Sequence, residues 1–467
     1  MTYTFCSNII EDTSCFQKRT SFVGGERPKQ WPNPWDFLRY IRSNSISVWP
    51  QAAYDTFDYH GKVLHHHVFL ATHPETVEFV LKSSSEAFSL GALQKRMLEP
   101  ALGAGLILAE GNDWAQIRRV TSRFMKRSEP EVVSQASWKA GQKAARQLGE
   151  VPTLQLNGKA EQVLGDAFLE LFARLFFDST PEDEEGVADA VDQYLKSSQR
   201  VDLATFLDAP LWLSPRRKKD RILAHKLDER FESALRVRGL DNLQPTRAKR
   251  RDFVVNLMTG YKTASIAALW FLVTLSRSNT DLKKVKVEAQ RWNRSPGLDE
   301  LEGATFFDAA FAESNRLFPA LPLLLRSPKE DIVLPRGQRL KRNALVFIAP
   351  WIIHRHSKLW PKPDMFIPER MILGHPTAVD LVPKDTNYPL RPPYYLPYGW
   401  GPRQCPGANI ASLALKAFLL GMLNLGQPKL HDGDTCPNGS FMLRPPADLK
   451  LSWDLSPSEI SNVQRAS

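Results

Sequence analysis

Cysteine is scarce in this chain. There are four in 467 residues, Cys6, Cys15, Cys405 and Cys436. No two are spaced as C-x-x-C, which excludes zinc-ribbon and thioredoxin-like sites. So few in a chain this long make no disulfide framework, and a reducing, cytoplasmic setting is expected. Residues 1–20 are polar and hold no sustained apolar run. Neither a secretory leader nor a membrane anchor is therefore expected. Concentrated charge is also missing. Lys and Arg outnumber Asp and Glu by 61 to 51, which favours acidic partners. The basic residues are dispersed, with no arm or finger spacing, so nucleic acid is not an expected partner. No internal repeat and no flexible linker is visible.

What is present is a globular composition, 43% hydrophobic and long enough for a large core. Residues 1–34 read as an irregular, Pro-rich start, and 35–467 as a single helix-rich domain. "KVLHHHVFLAT" alternates and predicts a strand pair. "HPETVEFVLKS" predicts a helix with proline in its first turn. Helical patterning dominates 110–290, including "STPEDEEGVADAVDQYLKSS", where Thr180 can cap and acids fill the first turn. "RDFVVNLMTGYKTASIAALWFLVTLSRS" is the longest apolar helix. Arg251, Asp252 and Lys262 interrupt it, so it reads as a core helix rather than a membrane span. "EDIVLPRGQRLKRNALVFIAP" predicts strands around a turn. A long Pro-rich stretch then leads to Tyr398, and "FMLRPPADLKLSW" predicts a last hairpin strand. The expected class is mainly α with a small β portion (α+β).

The stretch "YGWGPRQCPGANIA", Tyr398–Ala411, surrounds Cys405 with Arg403, Pro406 and two glycines. Pro406 suits the first position of the apolar helix that follows. A cysteine at a helix N-terminus, near an arginine, is expected to have a lowered pKa. Such a thiolate serves as a nucleophile, a redox sensor or a metal ligand; a buried structural cysteine is the plain alternative.

Tyr398-Gly-Trp-Gly401-Pro-Arg403-Gln-Cys405-Pro-Gly407 resembles the haem-binding signature F-x-x-G-x-R-x-C-x-G of the cytochrome P-450 superfamily, with Tyr398 in place of Phe. "FAESNRLFP" resembles the family's E-x-x-R, with Glu313 and Arg316 on one helix face. "DMFIPERMI" resembles its P-E-R segment and supplies Arg370. "EGNDWAQIRRVTSRFM" resembles W-x-x-x-R, with Trp114 and Arg118. "TGYKT" resembles the oxygen-side patch A/G-G-x-D/E-T, with Gly260 and Thr263, but Lys262 replaces the acid. All five elements stand in family order.

The resemblance implies the cytochrome P-450 fold, with haem b between the long central helix and the cysteine helix. It implies Cys405 as the iron ligand. Trp114, Arg118, Arg326 and Arg403 would meet the haem propionates, and Glu313, Arg316 and Arg370 would lock the loop around the cysteine. Gly401 and Gly407 would let the backbone approach the sulfur, Gly260 would make room for O2, and Thr263 would hydrogen-bond to it. The implied reaction is monooxygenation of a hydrophobic organic substrate. No flavin, nicotinamide or iron–sulfur motif occurs in the sequence. Electrons from NAD(P)H are therefore expected through an acidic ferredoxin-type partner and its reductase, docking near Arg118, Arg119, Arg123, Lys126 and Arg127. A soluble, bacterial-type monomer is expected. Lys262 keeps open a peroxygenase, or an isomerase or dehydratase, and is itself a candidate for binding an anionic substrate. Substrate contacts are expected from the 88–107 loop, the 175–220 helices, the "LMTGYKTA" face, the "PALPLLL" strand and the tip at Ser440–Phe441.

Overall fold

A computed structural model describes residues 27–457, apart from 64–65, 84–85, 103–104, 127, 178–246, 373–392, 432–435 and 440–441. Helices predominate and the sheet portion is small, as the sequence predicts. The helix expected at 179–198, most of the 175–220 substrate segment and the tip at Ser440–Phe441 lie outside the described residues.

The alternating run after Asp58 folds as β1 (Tyr59–Val63) and β2 (His66–Ala71), antiparallel, with Tyr59 opposite Leu70. β3 (Phe88–Ser89) pairs with β4 (Leu324–Pro328). β5 (Ile332–Val333) and β6 (Arg339–Leu340) make the expected hairpin. Its turn holds Gly337 at φ +85°, a conformation that favours glycine. β7 (Leu345–Ile348) enters between β2 and β4, giving the order β1-β2-β7-β4-β3. All four β7 residues are buried, as a central strand covered on both faces requires. This sheet sets Arg326 opposite Val346. Two further pairs are β8 (Gly426–Leu430) with β11 (Leu451–Leu455), and β9 (Asn438–Gly439) with β10 (Leu443–Arg444). The segment 88–107, expected as a loop, carries a helix at Ala92–Leu102.

His73 caps the helix Pro74–Lys82 by accepting from the Glu75 N–H, and Pro74 occupies its first turn. The central helix, Arg247–Ser276, is buried on every face from Ile266 to Leu275. Burial all round marks a core helix. The cysteine helix, Ala408–Leu425, is the one described helix apolar and long enough to cross a membrane. It packs against the helix Pro130–Gly149 at backbone contact. A Cβ at Gly141 would sit 2.0 Å from the Phe418 oxygen, and one at Gly421 2.5 Å from the Trp138 oxygen. Cys436 is disulfide-bonded, so the low cysteine count does not exclude a bridge.

Candidate active site

Cys405 follows a short 3-10 turn, Gly401–Arg403. Its N–H donates to the Tyr398 carbonyl at 2.9 Å, closing the loop on itself. The Tyr398 hydroxyl accepts from Ser412 Oγ at 2.9 Å, which ties the loop to the cysteine helix. Gly401 has φ +75°, and a Cβ there would lie 2.5 Å from the Leu81 oxygen. Its task is docking the loop on the helix Pro74–Lys82, not the approach to sulfur expected from sequence. At Gly407 a Cβ would meet only Ile410 and Met125, at ordinary contact distance. Gly407 contributes instead through its N–H, which bonds toward the cysteine.

The Cys405 side chain is free and solvent-accessible. Burial nevertheless raises its pKa above the usual thiol value, against the opposing pull of the Gly407 N–H and Arg118. Both observations hold for a sulfur on a cavity wall, reachable by a ligand but poorly hydrated. The lowered pKa expected from a helix end is not found. The helix begins only at Ala408, capped by Gly407, and Pro406 precedes it; desolvation therefore outweighs the dipole. A thiol so placed is a poor free nucleophile, whereas coordination to a metal removes its proton outright.

Cations gather around this wall. Arg118 donates to the Gln404 carbonyl at 2.6 Å. Arg403 donates to the Ala109 carbonyl at 2.6 Å and lies over the Trp114 ring, 5.1 Å from its centroid. Arg326 is 6% exposed. One of its terminal nitrogens donates to the Leu325 carbonyl, and its Nε has no partner. Burial, then repulsion from Arg403, pulls its pKa down to about 10. A buried guanidinium with an orphan donor and a cationic neighbour calls for an anion. With the accessible cysteine, this donor set fits a haem: thiolate for the iron, arginines for the propionates.

On the central helix, Thr263 Oγ1 donates to the Gly260 carbonyl of its own helix at 2.9 Å. Its lone pairs can still accept. A Cβ at Gly260 would meet the Phe172 ring at 3.1 Å, so this glycine admits the neighbouring helix Lys159–Phe177. Lys262 is buried and pairs with Glu161 at 3.1 Å. Arg444 approaches the same carboxylate at 3.7 Å. Lys262 thus faces the helix Lys159–Phe177 and has an acid for its partner.

The E-x-x-R helix, Thr305–Leu317, delivers the expected network complete. Glu313 accepts from Arg316 Nε and from one of its terminal nitrogens, both at 2.8 Å, and from Arg370 Nε at 3.1 Å. Arg316 also donates to the carbonyls of His354, Pro363 and Met365. Sequence reasoning missed His354. Its Nδ1 donates to the Arg316 carbonyl at 3.1 Å and its Nε2 accepts from the Leu396 N–H at 2.8 Å. It therefore joins the network to the segment entering the cysteine loop. Only the tertiary pairing reveals it, since a lone histidine carries no spacing signal.

Burial, then Arg316, lowers the His354 pKa to about 3. The sign follows from linkage: the unfolded state takes up a proton near pH 6.5 and the folded state does not. Stability falls as pH drops below 6.5 and levels off near 3. At pH 5 the loss is about 2 kcal/mol. A His354→Asn variant is expected to lose that share of acid sensitivity, read as a flatter plot of unfolding free energy against pH between 6.5 and 4.5.

A family model described as Cytochrome P450 matches residues 246–453. The chain is 24% identical to "Protein LUTEIN DEFICIENT 5, chloroplastic" of Arabidopsis thaliana, over 73% of this chain and 62% of that protein. It is 28% identical to "Carotene epsilon-monooxygenase, chloroplastic" of the same plant, over 36% of this chain and 31% of that protein. The chain spans less than two thirds of the length of these curated relatives. Among solved structures, the retinoic acid-bound cyanobacterial CYP120A1 superposes with TM-score 0.69 at 18% identity, covering 85% of this chain and 92% of that one. The fold is thus that of cytochrome P450. The named relatives are plant chloroplastic proteins and lend no support to the bacterial-type expectation.

Proposed function

We propose that this chain is a member of the cytochrome P450 superfamily and a haem-thiolate monooxygenase that inserts one atom of O2 into a hydrophobic organic substrate; the family model over residues 246–453 and the shared fold support this. The observation that carries the reading is Cys405, an accessible but desolvated sulfur, in one site with Arg118, Arg403 and the buried Arg326, whose Nε has no partner. Haem bound to a cysteine thiolate supplies O–O cleavage, favoured by the electron density the thiolate pushes onto iron. The chain's own residues do the rest. Trp114, Arg118, Arg326 and Arg403 hold the propionates. Glu313, Arg316, Arg370 and His354 fix the polypeptide that presents Cys405. Thr263 holds a proton at Oγ1 on the central helix and can accept a hydrogen bond through its lone pairs. Tyr261, Ala264 and Ala267, the buried neighbours of Thr263 on the central helix, suit an apolar substrate. One relative's name assigns it carotene, and we infer a substrate of comparably low polarity for this chain.

Electrons come from a separate protein in this reading. Arg119, Arg123 and Lys126 are exposed along and just beyond the helix Gly111–Met125, on the segment that sends Arg118 to the cysteine loop. A basic strip so placed suits an acidic ferredoxin steered by charge. Lys262, in the place of the family's acid, is what a peroxide-using or non-oxygenating enzyme would rest on; its ion pair with Glu161 favours a packing role for it and so the monooxygenase reading.

The test is product formation from apolar candidates with ferredoxin, reductase, NAD(P)H and O2, compared with peroxide alone. Turnover with the electron chain supports the reading; turnover with peroxide and never with the chain overturns it. Thr263→Ala is expected to lower product per electron consumed by about ten- to a hundredfold, with the missing electrons recovered as peroxide. Its fold should be little changed, because the lost hydroxyl bond runs only to its own helix.

A further inference from the structure

We propose that Glu110 is a positioning residue that sets the net charge facing the haem propionates, and through it the reduction potential of the iron; this rests on the haem-thiolate reading above. Glu110 immediately precedes the helix that carries Trp114 and Arg118. One carboxylate oxygen accepts from the Leu90 N–H at 2.7 Å, and the other pairs with Lys95 on the helix Ala92–Leu102. The carboxylate therefore clamps three segments of the cavity rim together.

It also lies within electrostatic reach of Arg403 and Arg326. Arg403 grips the carbonyl of Ala109, the residue next to Glu110. Arg326 is the buried guanidinium whose Nε lacks a partner. A carboxylate serving only as a surface pair for Lys95 would not attract both. Although burial pushes the Glu110 carboxyl up, the bonds from Lys95 and Leu90 win and hold it below the usual range, so it is anionic at neutral pH. Lys95, Arg118, Arg326 and Arg403 are the cations of these segments, and Glu110 offsets one unit of the positive charge that the two propionates of haem b would meet.

An anion at this rim favours the ferric over the ferrous state, because reduction adds negative charge to the haem. Glu110→Gln retains an acceptor for Leu90 and deletes the charge. In the haem-loaded protein the ferric/ferrous midpoint should move positive, a roughly three- to tenfold change in the reduction equilibrium for a unit charge at a partly desolvated site. Lys95→Met deletes a cation instead and should move the midpoint negative. The measurement is spectroelectrochemical titration of both variants. Opposite shifts support the proposal, since a merely structural clamp, broken from either side, would move both alike. Shifts of the same sign, or none, overturn it. Should Glu110→Gln fail to load haem, Lys95→Met decides alone: an unmoved or raised midpoint overturns the proposal. A parent protein that holds no haem would instead sink the functional reading on which it rests.

Discussion

Replacing Cys405 with alanine is expected to erase the red-shifted Soret band of the ferrous–carbon monoxide complex and to take oxygenation to background. The fold should remain within about 1 kcal/mol of the parent, because the side chain is solvent-accessible and its loss opens no core cavity. Few single substitutions separate chemistry from stability so cleanly. The sulfur is the only anionic donor this loop offers. The neighbouring residues position it through backbone groups: the Tyr398 carbonyl, the Gly407 N–H and the Gln404 carbonyl gripped by Arg118. The Tyr398 and Gln404 contacts persist in the alanine variant and only the Gly407 N–H loses its sulfur partner, so the loop should still take haem, now without its thiolate. Circular dichroism and thermal unfolding of the haem-free variant supply the control. A surviving red-shifted band would mean that another residue ligates the iron.

The contrast between Glu313 and Lys262 shows what a sequence makes legible. Glu313 and Arg316 stand three apart on one helix, so their pairing follows from helical geometry. Arg370 follows from the P-E-R segment, and the strands around Gly337 from turn chemistry. These parts of the fold rest on local rules. Lys262 could be flagged as out of place, but its partner Glu161 is distant in the chain and enters only through helix packing. Gly401 teaches the same lesson. Its presence near Cys405 suggests a tie to the sulfur, while the surface it meets is the carbonyl end of the helix Pro74–Lys82. The raised pKa of Cys405 is hidden from the sequence for a third reason. Helix ends are visible in a sequence, whereas desolvation depends on the cavity the whole fold encloses.

Glu313→Gln is expected to cost about 3–5 kcal/mol, the usual penalty for breaking one partner of a buried ion pair. Glu313 and Arg316 are fully buried and Arg370 is 3% exposed. The carboxylate accepts four bonds: two from Arg316, one from Arg370 and one from the Ile367 N–H. An amide keeps the shape but offers one acceptor oxygen, and its NH2 would point at guanidinium donors. Denaturant titration of the haem-free protein measures the loss, and faster haem release should accompany it as the loop before Cys405 loosens. A cost under about 1 kcal/mol would refute the network as an energetic lock. Replacing all three residues with apolar ones should not rescue stability, although it does for some buried ion pairs. The arginines here also donate to the carbonyls of His354, Pro361, Lys362, Pro363 and Met365. An apolar trio would strand those carbonyls without the donors they now have. The guanidinium groups therefore hold irregular backbone in place, in a stretch where neither helix nor sheet can satisfy it.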